Sequence, residues 1–181
     1  MSRRILTFSA FTCIIKKKQK KVYYREIYMT KKLTRRKARE SAVRLVYAYS
    51  VNKDENLDDF FELAVAEHEL EADPFTKELF FGVCRNWDKL DAVIADNATG
   101  WKIGRISKIS LAVMRICAYE LLYTDVPKEI AINEALEIDK AYDDGKAPSF
   151  INGILNAIAK SKTGAVSEEN SADGDASKDV E

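Results

Sequence analysis

The residues in this chain that could do chemistry are cations and aromatic rings rather than a nucleophile. The run Lys31-Lys32-Leu33-Thr34-Arg35-Arg36-Lys37-Ala38-Arg39 places six cations in nine residues. If a helix opens at Thr34, those cations crowd its first turns, where the helix dipole favours acids. A negatively charged ligand would account for so unfavourable a placement. Arginines there can reach phosphates, and their planar guanidinium groups can stack on or hydrogen-bond the bases of an unpaired strand. Tyr47 falls on the same side of that helix as Arg36 and adds an aromatic face. A basic run is also what an ordinary solvated helix face looks like, and residue types alone leave both readings standing.

Other chemistry is hard to assemble from these residues. There is no Gly-rich phosphate loop, no Ser/His/Asp or Cys/His arrangement and no metal-ligand spacing. The single histidine, His68, sits in an acidic stretch and reads as a surface residue. Glu134 and Glu137 are three apart and can share a helix face, but nothing near them suggests a polarised substrate. Cys13, Cys84 and Cys117 are odd in number and far apart, as in a reducing cytoplasm, and two of them lie in apolar helical patterns as small hydrophobes. The pattern points away from an enzyme and implies no metal and no cofactor.

The elements that must position the basic run are helical. A chain of 181 residues, 46% hydrophobic, can build one good core or two small ones, and 7 Gly with 3 Pro leave little room for the turns of an all-β design. The stretch Ile109 to Tyr123 carries only Arg115 and Glu120 as charges. A helix apolar on nearly every side belongs in the middle of a bundle. Its fifteen residues would rise only about 22 Å, with both charges inside the span, so a membrane helix is the poorer reading.

In order, the first helix is expected from about 34 to 50, with Ala38, Ala42, Leu45, Val46 and Tyr49 inward, Arg36, Lys37 and Arg44 outward, and Arg35 and Arg39 flanking the seam. An acidic second helix spans about 57 to 70, using Phe60, Phe61, Leu63, Ala64 and Val65. Asp73-Pro74 reads as an N-cap and first helical residue, opening a third helix through about Ala95 with Phe75, Leu79, Val83, Trp87, Leu90 and Ile94 as its stripe. Asn97-Ala98-Thr99-Gly100 breaks the pattern, dividing subdomains of about 34 to 96 and 101 to 162, with Trp101 and Ile103 expected to tack the linker to the core. The fourth helix spans about 107 to 123. A fifth spans about 128 to 142, burying Ile130, Ala131, Ala135 and Ile138. The sixth runs from Pro148 to about Lys160 with Phe150, Ile151, Ile154, Leu155 and Ile158 apolar.

The formal net charge is zero, but it averages opposite ends: residues 1 to 28 hold eight Lys or Arg against one Glu, and residues 164 to 181 hold six acids against one Lys. The first 28 residues read as a basic, disordered addition, with Met29 as the natural start, and residues 164 to 181 as a disordered acidic tail.

Several motifs in fixed order resemble the NusB family of bacterial transcription antitermination factors. They are Arg35-Arg36-Lys37-Ala38-Arg39-Glu40 with Tyr47, Arg115-Ile116-Cys117-Ala118-Tyr119-Glu120-Leu121, Asp125-Val126-Pro127, Ala131-Ile132-Asn133-Glu134-Ala135 and Phe150-Ile151-Asn152-Gly153-Ile154-Leu155. The resemblance covers about Met29 to Lys160. It implies an all-α fold of two three-helix subdomains. It also implies action with the ribosomal protein NusE on the boxA element of nascent ribosomal RNA, helping the RNA polymerase elongation complex through ribosomal RNA operons. By motif correspondence Arg35, Arg36, Lys37 and Arg39 contact RNA. Phe150 matches an aromatic near the RNA path, although its spacing equally suits a core role, and Tyr47 matches a position on the NusE face. The chain departs from the family at Ser110-Leu111, where an acid-base pair is common on the partner face, and at Asn156, where the last motif usually ends in Asp.

Asn133 and Asn152 read as RNA ligands or as buried amides bonding the backbone, the second favoured because each sits beside buried-pattern residues, and Gly153 reads as permitting close helix packing. Two other classes remain as alternatives: a helical adaptor that binds proteins without RNA, and a stand-alone relative of the RNA-binding domain fused to ribosomal RNA methyltransferases. The sequence leaves monomer and homodimer both open.

Overall fold

The structure is a computed structural model that describes residues 32–51, 56–67, 70–98, 103–142 and 148–169. Its described elements are all helical: α1 (Arg35–Tyr49), α2 (Leu57–Glu67), α3 (Pro74–Arg85), α4 (Trp87–Asn97), a 3₁₀ turn (Ile103–Arg105), α5 (Lys108–Tyr123), α6 (Lys128–Lys140) and α7 (Pro148–Glu169). The all-α class expected from the sequence is what these residues adopt. The chain forms two compact units, 1–78 and 79–181, so the division falls inside α3; the sequence had suggested the break at 97–100 instead. None of the described helices is long and apolar enough to cross a membrane.

In the first unit α1 opens where the sequence places it, because the Thr34 hydroxyl accepts from the Lys37 N–H at 3.3 Å. Ala38, Ala42, Val43, Leu45 and Val46 are completely buried along its inner side. Helix α2 is capped by Asn56, whose side-chain oxygen accepts from the N–H groups of Asp58 and Asp59 at 3.0 and 3.1 Å. It packs on α1, with Phe60 meeting Tyr49 edge-on at 5.2 Å between ring centroids. Leu63, expected inside, is exposed. His68 and the loop 52–55 lie outside the described residues.

The long third helix of the sequence reading is two helices. The stripe itself is real, since Leu79, Val83, Trp87, Leu90 and Ile94 are buried. The chain nevertheless turns at Asn86, where φ is −111° and ψ 19°. There the Asn86 amide donates to the Gly82 carbonyl at 2.8 Å, and the Asn86 N–H donates to Val83 O at 3.1 Å. A side chain that competes for backbone partners can close one helix without disturbing the phase of the apolar pattern.

In the second unit α5 is the central helix, packing against α4, α6 and α7. Every residue from Ser110 to Ala118 is buried, and so are Glu120 and Leu121. The helix starts at the Ser107 cap, whose hydroxyl accepts from the Ser110 N–H at 3.1 Å. Its buried cation is satisfied within the unit: Arg115 Nε and a terminal guanidinium nitrogen donate to the two carboxylate oxygens of Asp91 at 2.7 and 3.0 Å. The same guanidinium lies 4.0 Å from the centre of the Trp87 ring. Two-pronged pairing plus an aromatic face is how a buried arginine recovers what it loses in leaving water.

Helix α6 buries Ala131, Ile132, Ala135 and Ile138, whereas Ile130 is exposed. That is a shift of the inner face from Ile130 to Ile132, a change that two apolar residues flanking Ala131 leave undetermined in the sequence. Helix α6 ends at Lys140, earlier than expected, and α7 continues to Glu169, into the segment expected to be disordered. The expectations for residues 1–28, the rest of the tail, Trp101 and the side chain of Ile103 lie outside the described residues.

Candidate nucleic-acid interface

The basic start of α1 is held by the start of α3. Asp73 is nearly buried, and its carboxylate serves two segments 40 residues apart: one oxygen accepts from the Thr76 N–H at 2.8 Å and the Thr76 hydroxyl at 2.9 Å, the other from the Leu33 N–H at 3.3 Å. One side chain thus caps α3 and fixes the residue ahead of the α1 cap. The cap role was legible in Asp73-Pro74; the tether was not.

Phe75, the second residue of α3, is the platform for the arginines. The Arg35 guanidinium lies 4.0 Å from the centre of its ring, and that of Arg39 lies 5.5 Å away. Such contacts are worth about 0.5–1 kcal/mol at exposed sites and more where water is excluded. They also cut the rotamer freedom that a long basic side chain must surrender on binding an anion. The sequence reading placed Phe75 in the core stripe; it is half-buried instead. A phenylalanine just after a helix cap carries no local signal that a cation from another helix will cover it.

The four expected basic residues do not share one environment. Arg35, Arg36 and Lys37 are exposed, whereas Arg39 retains only 4% of its accessible surface. Arg35, Arg36 and Lys37 thus lie at the surface, while Arg39 is buried with its guanidinium near Phe75. Tyr47 is exposed at 41%, on the outward side with Arg36, as the helix geometry required.

Phe150 is half-buried in the first turn of α7. Ser110 is fully buried, its oxygen accepting from the Ser107 hydroxyl at 2.7 Å, so this side chain is spent on the first turn of α5. Asn133 and Asn152, expected as buried amides, are both exposed. Gly153 is exposed as well, and a Cβ built on it meets no atom of the described residues within 4 Å, so close packing against them is not its reason. Of the pair considered for acid-base work, Glu137 is bonded to Lys140 at 2.6 Å on the surface. Cys84 and Cys117 are free thiols.

The all-helical chain with cations exposed at the start of α1 has clear relatives in sequence and fold. The family model described as NusB family matches residues 36–160. The transcription antitermination protein NusB of Bacillus pumilus is 39% identical over 127 residues, spanning 70% of this chain and 95% of that protein. NusB of Bacillus subtilis is 36% identical over 127 residues, with the same coverage. Among solved structures, T. maritima NusB superposes with a TM-score of 0.62 at 32% identity, covering 72% of this chain and 93% of that one. A chain from the crystal structure of antitermination factors NusB and NusE in complex with dsRNA does so with a TM-score of 0.61 at 25% identity, covering 70% and 96%. The match runs from the basic helix through the last apolar helix, and this chain belongs to the NusB family.

Proposed function

We propose that this protein is an RNA-binding transcription antitermination factor. In this reading it acts with NusE on the boxA element of nascent ribosomal RNA, in the cytoplasm and without catalysis of its own, to keep the elongation complex processive. The observation that carries the reading is the exposed set Arg35, Arg36 and Lys37 at the start of α1, with Arg35 laid on Phe75. Cations gathered against the helix dipole are unfavourable in the free protein and become favourable when phosphates approach. The Phe75 ring leaves the Arg35 guanidinium plane ordered for bidentate bonding.

Within this reading Arg39 reaches the RNA from beneath the exposed three and also supports Phe75. Phe150 offers an aromatic face at the start of α7, and Tyr47 docks NusE. Ser110 contributes to the partner face through the helix turn it holds, since its own hydroxyl is engaged.

A filter-binding titration with boxA RNA and a scrambled RNA, with NusE present, tests the proposal. The expected result is a preference for boxA that Tyr47→Asp weakens only through loss of NusE. Equal affinity for both RNAs would favour the adaptor that binds proteins alone.

A further inference from the structure

Helices α6 and α7 enclose an open groove of about 240 Å³ that the RNA contacts proposed above leave unused. Its apolar surface is Ile132 and Leu136, and its polar groups are amides: Asn133 from α6, Asn152 and Asn156 from α7. Asn156 Nδ2 donates to Asn152 O at 2.9 Å and to Asn152 Oδ1 at 2.8 Å. That spends the Asn156 amino group and leaves the Asn156 carbonyl oxygen and the Asn152 amino group unbonded among the described residues, as is the Asn133 amide. The groove thus offers both donors and acceptors beside an apolar surface. Lys128 and Glu129 at its rim cancel in charge.

Gly153 gives the second observation. It lies between Asn152 and Asn156 on α7, exposed, with open space where a Cβ would be. Glycine inside a helix is unfavourable relative to alanine, and no atom of the described residues comes near enough to require it here. A ligand lying close against the helix backbone would account for it. By helical spacing Gly153 lies about 60° around α7 from Asn156, so the bare backbone borders the amides.

We propose that the α6–α7 groove is a nucleobase subsite. An unpaired base of the bound RNA lies with its ring against Ile132 and Leu136 and its polar edge hydrogen-bonded to the amides of Asn133, Asn152 and Asn156, and the strand passes over Gly153. Asparagine amides match the donor-acceptor edges of bases, and unpaired RNA is read by such splayed bases. A net-neutral rim suits a base better than a phosphate. The volume is below the roughly 300 Å³ at which pockets for drug-sized ligands begin. The subsite rests on the RNA-binding function proposed above.

The test uses the full chain with NusE and a set of single-stranded boxA RNAs, each with one nucleotide made abasic, so that a base is lost while its phosphate stays. In the wild type one abasic position should weaken binding by about tenfold. In the double variant Asn133→Ala/Asn152→Ala that same position should become silent, with the salt dependence of binding unchanged. Gly153→Ala should weaken the intact RNA while raising the melting temperature. Binding in which no abasic position couples to the variant overturns the subsite alone. So does a variant that lowers the salt slope for every RNA, or one that loses NusE and keeps RNA. A wild type that binds no RNA overturns the function together with the subsite.

Discussion

Phe75 and Arg115 show how a few side chains decide what the cations of this chain can do. Arg35 rests on Phe75 at the surface, and Arg115 rests on Trp87 in the interior, each 4.0 Å from its ring centre. The geometry is the same and the consequences differ. Phe75→Leu keeps apolar bulk and removes the ring that orders Arg35, so boxA affinity should fall severalfold, on the order of 1 kcal/mol. The salt dependence should hold, because every charge remains. A flattened salt slope would show that the substitution disturbs the cations themselves. Arg115→Ala strands the Asp91 carboxylate, which keeps partial contact with water. The loss of stability should be about 2–3 kcal/mol, below that of a fully buried pair, read as the shift in a urea melt. A shift near zero would contradict the account of how α5 tolerates a cation. That Arg115 lies inside was legible from its apolar neighbours. That Asp91 and Trp87 receive it was not, since pairing across 24 residues leaves no local pattern.

At the scale of elements, two helical glycines make opposite predictions. A Cβ on Gly82 would overlap the ring of Tyr119, so α3 and α5 approach each other there with no room to spare. Gly82→Ala should therefore destabilise by about 1–3 kcal/mol through overpacking. Gly153→Ala should stabilise by about 0.5–1 kcal/mol, since α7 gains a better helix former in open space. Thermal melts of the two variants, moving in opposite directions, check both at once; two shifts of the same sign would contradict this reading. Helix starts were legible where a cap stands beside an apolar pattern, at Thr34, Asp73 and Ser107. The break at Asn86 was not, because Val83, Trp87 and Leu90 keep the same stripe across it. Asn133 and Asn152 were misread because each adjoins a buried isoleucine, Ile132 or Ile151, and one step along a helix turns a side chain by about 100°. A neighbour's burial therefore says little about its own.

At the scale of the whole molecule, the family match from 36 to 160 covers the helical part and leaves out the basic and acidic ends. The central claim is that the exposed start of α1 binds RNA phosphates. Arg39 is a poor probe of that claim because its burial adds a folding cost to any substitution. Arg35, Arg36 and Lys37 are exposed, and alanine suits their helix. The most direct measurement is the affinity of the Arg35→Ala/Arg36→Ala/Lys37→Ala variant for boxA RNA, with NusE present, across a series of salt concentrations. The predicted result is a native melting temperature, a steep loss of affinity at low salt and a slope of log affinity against log salt reduced by up to about 0.7 for each phosphate contact removed. Unchanged affinity and slope in a natively folded variant would contradict the assignment.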